Sequence, residues 1–146
     1  MTGVQTCALP ISALFALLVR DDFMHIRAKE NFAYFAAHRV QLMTSSFVLV
    51  ETVALLQRRV GLDSVRDFNG KILPLLEVVW VDMDWHNRAM QRLLTQNRKN
   101  LSLVDCMSFE IMEAREISEA FTFDRHFEEN GFKMAAYHGL DVSRPL

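Results

Sequence analysis

The chain has 146 residues, of which 51% are hydrophobic and 23% are charged, and its net charge at pH 7 is -2. This length and composition predict one globular domain with a sizeable core and exclude an intrinsically disordered chain. The net charge and a pI of about 6.2 provide no global basic field for nucleic acid. They still allow an acidic site that contacts RNA or DNA, because bound metal reverses the local charge.

The two cysteines, Cys7 and Cys106, have neither the spacing of a metal site nor that of a disulfide framework, which favours a reducing compartment. No apolar run reaches membrane-spanning length. The apolar run over 8–19 resembles the core of a signal peptide. However, no Lys or Arg precedes it, Pro10 interrupts it, and no small-residue cleavage pattern follows it. We therefore expect a cytoplasmic protein with no membrane partner.

Residues 1–11 read MTGVQTCALPI, which matches the translation of a common sequencing-adapter oligonucleotide read from a GTG start. The last base of that adapter would begin the codon of Ser12. Because the match extends over the whole segment, we predict that residues 1–11 are not native. The alternative is an unusual native N-terminus, and an uninterrupted genomic reading of these codons would establish it. If the segment is not native, Cys7 and Pro10 carry no functional information.

The first half of the chain alternates helical and strand patterns. Asp22 can cap the second helix, Gly61 can end the fourth element, and Pro74 marks the end of the fifth. The predicted elements are a helix over 12–20, a helix over 23–38, a strand over 40–44, a helix from Ser45 or Ser46 to Val60, and a helix from Asp63 to Leu73.

The second half continues the alternation. The predicted elements are a strand over 78–81, a helix from Asp84 to Asn97, a helix from Ser102 to Arg115, a strand over 120–123, a short helix over 125–130 and a strand over 132–135. The strand over 78–81 is apolar on both faces and is expected to be buried. Strands that alternate with helices predict an α/β fold, with a parallel sheet covered on both faces.

Three acids can converge at one edge of that sheet, where ligands of parallel sheets bind. Asp124 directly follows the strand over 120–123, and Glu51 lies in the early turns of the helix after the strand over 40–44. Asp105 lies near the start of a helix that leads into 120–123. Carboxylate oxygens suit Mg²⁺ and Mn²⁺, which can activate water and stabilise charge on a phosphodiester.

Each acid also has a purely structural explanation. Ser102 and Asp105 match a capping box, and for Asp105 alone this explanation is preferred. Glu51 could lie on a helix surface, and Asp124 could cap the helix that follows it. Metal binding becomes the preferred interpretation only when the three acids are considered together.

Other polar residues give weaker signals. Zinc is not expected, because none of the histidines shows the paired spacing of zinc ligands. Cys106 is expected to be a small core residue rather than a nucleophile. Five cations could contact phosphates, although solvated helix faces are the preferred explanation. The residues in question are the histidines His25, His38, His86, His126 and His138, and the cations Arg58, Arg59, Arg98, Lys99 and Arg125.

Four segments together resemble the PIN-domain ribonucleases, and specifically the VapC-like toxins of type II toxin–antitoxin pairs. With the helices between them they cover nearly all of residues 12–135. They read SALFALLVRDD, TSSFVLVETVALLQRRVG, LSLVDCMSF and AFTFDRHFEENGF. The resemblance implies a three-layer α/β/α domain with a parallel sheet of about five strands. Together with the predicted non-native segment (1–11), it divides the chain into that segment, a PIN-like domain (12–137) and a tail (138–146).

The resemblance also implies Mg²⁺- or Mn²⁺-dependent endonucleolytic cleavage of RNA by a metal-activated water. Glu51, Asp105 and Asp124 match the metal-binding catalytic acids of the family. Thr122 matches a supporting hydroxyl beside the last acid, and Ser12 falls in the small polar pair that precedes the first helix. Members of the family usually form homodimers and are held inactive by a cognate antitoxin.

One departure from the family pattern affects both fold and activity. Alignment of the SALFALL segment places Pro10 where the family has its first catalytic Asp, at the end of the first strand. We therefore expect this acid and most of the first strand to be absent, and cleavage to be impaired. Two alternatives remain: a catalytically inactive module that still binds an antitoxin, and a PIN nuclease that acts in RNA maturation or on DNA.

Overall fold

The computed structural model describes residues 5–135, and its centre is a five-stranded parallel sheet in the order β3-β2-β1-β4-β5. The predicted tail over 138–146, His138 and part of the predicted non-native segment lie outside the described residues. The elements are β1 (Thr6–Ala8), α1 (Ile11–Leu18), α2 (His25–Ala37), β2 (Gln41–Ser45), α3 (Ser46–Arg59), α4 (Leu62–Asp67), β3 (Leu76–Val79), α5 (Met83–Gln96), α6 (Leu103–Ala114), β4 (Glu119–Ala120), α7 (His126–Glu129) and β5 (Lys133–Met134). The predicted parallel sheet of about five strands is confirmed.

Two apolar cores cover the two faces of this sheet. The first contains the inner faces of α1, α2 and α3, and its aromatic centre joins Phe35 to Phe121 edge to face at 5.5 Å. The second contains α6, and there Phe109 contacts Phe127 edge to face at 4.9 Å. Successive residues of the two central strands alternate between these cores, with Cys7 and Leu42 in the first and Ala8 and Met43 in the second. The three-layer α/β/α arrangement is therefore the observed one.

The strand order reverses at β1, which is the central strand. β1 pairs with β2 on one side and with β4 on the other, and the backbone of Ala8 lies in register with both Met43 and Ala120. The Phe121 N–H donates to the Ala8 carbonyl at 2.9 Å, so the β4 pairing continues just beyond the strand. The chain runs outward from β1 through β2 and β3, then returns to β4 and β5. A crevice at the carboxyl ends of β1 and β4 is the expected ligand site of such a sheet.

The expectation that most of the first strand is absent is wrong. Cys7, Ala8 and Leu9 are 0%, 3% and 1% exposed and occupy the centre of the sheet. The Leu9 N–H donates to the Met43 carbonyl at 2.9 Å, so the pairing with β2 extends as far as Leu9. Pro10 lies just past the last ladder bond, at the N-cap of α1, where its missing N–H costs nothing. The segment over 6–9 is therefore part of the fold, whatever its origin.

The predicted strand over 78–81 is displaced and is not buried on both faces. β3 begins at Leu76 and ends at Val79, and Trp80 is 71% exposed. The cause is position, because β3 is an edge strand: among residues 5–135 it pairs with β2 alone, and its register ends at Val79. Beyond it, the Val81 N–H donates to Ser46 Oγ at 2.9 Å instead of to a strand. β4 is likewise shorter than the predicted strand over 120–123.

Helix starts were predicted with mixed success. Ser45 caps α3, since its hydroxyl accepts the Val48 N–H at 3.2 Å. Asp82 rather than Asp84 caps α5, because its carboxylate accepts the Trp85 N–H at 2.9 Å. Met24 rather than Asp22 is the N-cap of α2, although the Asp22 carboxylate accepts the Met24 N–H at 2.8 Å.

The single helix predicted from Asp63 to Leu73 is wrong. After α4 the chain forms a π-helical turn over Phe68–Ile72 and a 3₁₀ turn over Leu73–Leu75. Gly70 is a weak helix former, and Pro74 cannot supply a helical N–H, so a regular helix is not maintained here. No helix among residues 5–135 is long and apolar enough to cross a membrane.

Candidate metal centre

Asp105 lies in the first turn of α6, where the helix cap fixes its position. Ser102 Oγ accepts the Asp105 N–H at 3.0 Å. In return, the Asp105 carboxylate forms hydrogen bonds with the side chain and the backbone of Ser102. The predicted capping box is present, and it anchors a half-buried carboxylate at the carboxyl edge of the sheet. Capping and a role in the site are therefore compatible.

Asp124 is held by the turn that follows β4. The buried Thr122 hydroxyl accepts the Asp124 N–H at 3.0 Å and lies 3.4 Å from the Ser12 hydroxyl. One oxygen of Asp124 accepts the His126 N–H at 3.0 Å, which stabilises the start of α7. Both predicted hydroxyl residues thus surround this turn, and Ser12 connects it to α1.

Asp105, Asp124 and His126 form a cluster in which one ligand atom of each lies within 4.8 Å of the others. His126 Nδ1 is 3.2 Å from Asp124 Oδ1 and 3.8 Å from Asp105 Oδ2. The sequence alone did not predict a role for His126, because no second histidine lies at the spacing typical of zinc ligands. Its position two residues after Asp124, in the same turn, is the sequence feature that could have predicted its place in the cluster.

Glu51 is near this cluster but not a member of it. It lies on the exposed side of α3. Partial desolvation raises the pKa of Glu51, and the negative charge of Asp105 raises it further. The two carboxylates are therefore within electrostatic reach of each other. The structure brings Asp105 and Asp124 together and places Glu51 at the rim.

The electrostatics of the centre favour a bound cation. Burial raises the pKa of Asp105, and the neighbouring charge of Asp124 raises it further. Hydrogen bonds with Ser102 and the charge of His126 lower this pKa, but the net shift is upward. A positive ion between the two carboxylates would remove this penalty.

The spacing of the donor atoms also fits an ion. Ligands of one ion with bonds of about 2.1 Å lie about 3.0 Å apart when adjacent and about 4.2 Å apart when opposite. The 3.2 Å from His126 Nδ1 to Asp124 Oδ1 is close to the adjacent spacing, and the 3.8 Å from Nδ1 to Asp105 Oδ2 lies between the two spacings. The donor set therefore fits a divalent cation.

Position 10 lies at the same edge of the sheet. It follows the central strand as Asp124 follows β4, and it directly precedes α1. Pro10 has no side-chain oxygen or nitrogen and adds no ligand. Next to it opens a cavity of about 390 Å³, lined by Ser12, Phe15, Phe123 and Asp124, with the 73% exposed Phe23 on its rim.

Comparison with known proteins adds three similarities. The PIN domain family matches residues 12–133. The 23S rRNA-specific endonuclease VapC20 of Mycobacterium tuberculosis, in strains CDC 1551 / Oshkosh and ATCC 25618 / H37Rv, is 34% identical over 92 residues, which is 62% of this chain and 70% of the relative. The crystal structure of Mycobacterium tuberculosis VapC20, a Sarcin-Ricin loop cleaving toxin, has a TM-score of 0.78 and 30% identity, covering 88% of this chain and 98% of that one.

Proposed function

The chain belongs to the PIN domain family, with similarity to VapC-type endoribonuclease toxins, and on this premise we propose that it hydrolyses RNA phosphodiesters as the toxin of a toxin–antitoxin pair. The observation that carries the proposal is the cluster of Asp105, Asp124 and His126 at the switch point of the sheet. Like charges in a partly buried crevice repel each other without an ion between them, and this arrangement supports a cation-dependent function.

In this proposal, the ligand side chains are fixed before substrate arrives. Ser102 holds Asp105, and Thr122 holds the backbone of Asp124, so neither acid has to be ordered during binding. Glu51 extends the negative field at the rim, where it can hold water or a second cation. A divalent cation bound here supplies the Lewis acid that activates water and neutralises charge on the scissile phosphate. We propose Mg²⁺ or Mn²⁺ as that cation.

Pro10 supports a second candidate function. With one ligand fewer than the family pattern, the chain as written is expected to cleave RNA weakly, and it could act as a catalytically inactive module that binds an antitoxin. A direct test compares the chain with its Pro10→Asp variant in Mn²⁺ affinity and in metal-dependent RNA cleavage.

Cleavage that appears or increases in Pro10→Asp supports a damaged nuclease. The matched control is the double variant Pro10→Asp, Asp105→Asn, which is expected to lose metal-dependent cleavage. Retention of full cleavage in the double variant would overturn the assignment of Asp105. Absence of cleavage in every variant, with an antitoxin still bound, would favour the binding module.

For the substrate, we propose a structured RNA with an unpaired loop. The support is the similarity to a relative named for 23S rRNA, together with the cavity that joins Asp124 to the exposed ring of Phe23. Unpaired bases stack on aromatic rings, whereas paired bases are not accessible. Cleavage of a loop RNA should therefore exceed cleavage of a fully paired RNA of the same composition. Equal rates would contradict this substrate class.

The proposal includes a cognate antitoxin, a homodimer and a cytoplasmic location. Cys106 is buried and forms no disulfide among residues 5–135, which is consistent with a reducing compartment. The alternative of a PIN nuclease in RNA maturation or on DNA is distinguished by gene context, because a small adjacent antitoxin gene is expected only for a toxin. Co-expression with that neighbour should yield a stable complex.

A further inference from the structure

His126 presents a ring nitrogen to the two clustered carboxylates, and that nitrogen has no hydrogen-bond partner. Nδ1 is buried and makes no hydrogen bond among the described residues. It nevertheless lies 3.2 Å from Asp124 Oδ1, which is a close approach without the alignment of a hydrogen bond. A buried nitrogen without a hydrogen bond is costly, and a cation shared with the two carboxylates would satisfy it.

The opposite nitrogen of the ring has a defined neighbour. Asn100 Nδ2 lies 3.2 Å from His126 Nε2, in the loop that precedes α6. If the amide nitrogen donates, the ring proton lies on Nδ1 and faces the carboxylates. If the exposed Asn100 amide is flipped, its oxygen accepts the His126 Nε2–H. The Nδ1 of His126 then directs its lone pair at the carboxylates. Asn100 can therefore select the tautomer of His126.

We propose that His126 Nδ1 is a third protein ligand of the cation and that Asn100 is a positioning residue that holds the ring in the metal-binding tautomer. This inference rests on the proposed function of the same centre. A hydrogen bond on the second ring nitrogen is the usual support of a metal-bound histidine.

One imidazole nitrogen changes which ion the centre prefers. Mg²⁺ takes oxygen ligands almost exclusively, whereas Mn²⁺ is a transition-metal ion and binds an imidazole nitrogen more readily than Mg²⁺ does. The centre is therefore selective for Mn²⁺ over Mg²⁺, and removal of His126 reduces that selectivity. A site built from carboxylates alone would not show this change.

The test uses the full, tag-free chain and Mn²⁺ as the probe, because a polyhistidine tag would itself bind the ion. Pulsed electron paramagnetic resonance of bound Mn²⁺ should show a ¹⁴N coupling, which His126→Asn removes. Mn²⁺ affinity should fall about tenfold or more in that variant, as is typical for loss of a group that supports a metal site. Mg²⁺ affinity, measured by competition, should change much less. His38→Asn, on the exposed end of α2, is the matched control and should retain the coupling.

Asn100 is tested by a pair of variants. Asn100→Leu should weaken Mn²⁺ binding, while Asn100→Asp, which can accept Nε2–H, should retain or strengthen it. Mn²⁺ binding without a ¹⁴N coupling, or with a coupling that survives His126→Asn, would overturn the inference and leave the proposed nuclease intact. If neither the chain nor its Pro10→Asp variant binds Mn²⁺, the metal centre itself fails, and with it the proposed function.

Discussion

Thr122 is the residue that joins the metal centre to the first helix. Thr122→Val should leave the Asp124 N–H and the Ser12 hydroxyl without their partner, because the replacement has the same shape but no oxygen. The expected loss in the free energy of unfolding is about 1–3 kcal/mol, the cost of unpaired buried groups. Urea unfolding measures the loss, and Mn²⁺ affinity should fall with it as the Asp124 turn loosens.

Thr52 provides the matched control for this substitution. It is 0% exposed, like Thr122, but its hydroxyl has no hydrogen-bond partner among residues 5–135. Thr52→Val removes an unsatisfied hydroxyl and should be neutral or stabilising. Equal destabilisation by the two substitutions would show that the hydroxyl of Thr122 has no special role.

Asp105 should make the metal-free protein less stable as the pH rises. Burial and Asp124 raise the folded-state pKa of Asp105 above its ordinary value of 3.8. Between these two pKa values the folded state binds more protons than the unfolded state, so the free energy of unfolding falls with increasing pH. Asp105→Asn should therefore raise the Tm of metal-free protein at pH 7, and the advantage should disappear as the pH approaches 3.8.

Added Mn²⁺ provides the control for that prediction. It should stabilise the parent chain and have little effect on Asp105→Asn, because the variant has lost a charged ligand. Thermal unfolding with and without the ion measures both effects. A lower Tm for metal-free Asp105→Asn at pH 7 would contradict the electrostatic explanation.

At the scale of single elements, α6 connects helix capping to the metal centre. Ser102→Ala removes the cap hydroxyl and should cost about 1 kcal/mol of stability. Because Ser102 lowers the pKa of Asp105, its loss should also raise that pKa and weaken Mn²⁺ binding at neutral pH. Chemical unfolding and Mn²⁺ titration check the two effects separately.

Asp82→Ala is the control for the cap of α6. Asp82 caps α5 by an equivalent bond of 2.9 Å to the Trp85 N–H, outside the metal cluster. The Asp82→Ala variant should lower the free energy of unfolding by a similar amount while leaving Mn²⁺ affinity unchanged. A parallel loss of affinity in both variants would mean that global stability, and not the Ser102 contact, controls the centre.

The sequence predicted the type of most elements and the place of two acids, but not the edge position of β3 or the role of His126. The helix and strand periods of the sequence predicted the parallel sheet, and the order of strand ends placed Asp105 and Asp124 at one edge. The edge position of β3 was not predictable, because an apolar run such as that over 78–81 looks the same in an edge or a central strand. His126 escaped prediction because its role depends on the three-dimensional turn after Thr122 and not on spacing from another histidine.

At the scale of the whole molecule, the sheet depends on the segment over 6–9. Cys7→Asp places a carboxylate at a fully buried site between β2 and β4, so we expect loss of more than about 3 kcal/mol or failure to fold. Cys7→Val keeps an apolar, β-favouring side chain and should retain the fold. Circular dichroism and urea unfolding distinguish the two outcomes. Equal stability of both variants would mean that the segment is not part of the sheet.

The position of β1 also determines when the centre can form during synthesis. The central strand β1 leaves the ribosome before both of its partners, β2 and the much later β4. The half of the sheet that contains β1, β2 and β3 can assemble early, since domains fold from the N-terminus as they emerge. Asp124 and His126 reach Asp105 only after β4 has docked on the other side of β1. A chain whose synthesis ends before β4 would therefore be partly folded and would lack the assembled metal cluster.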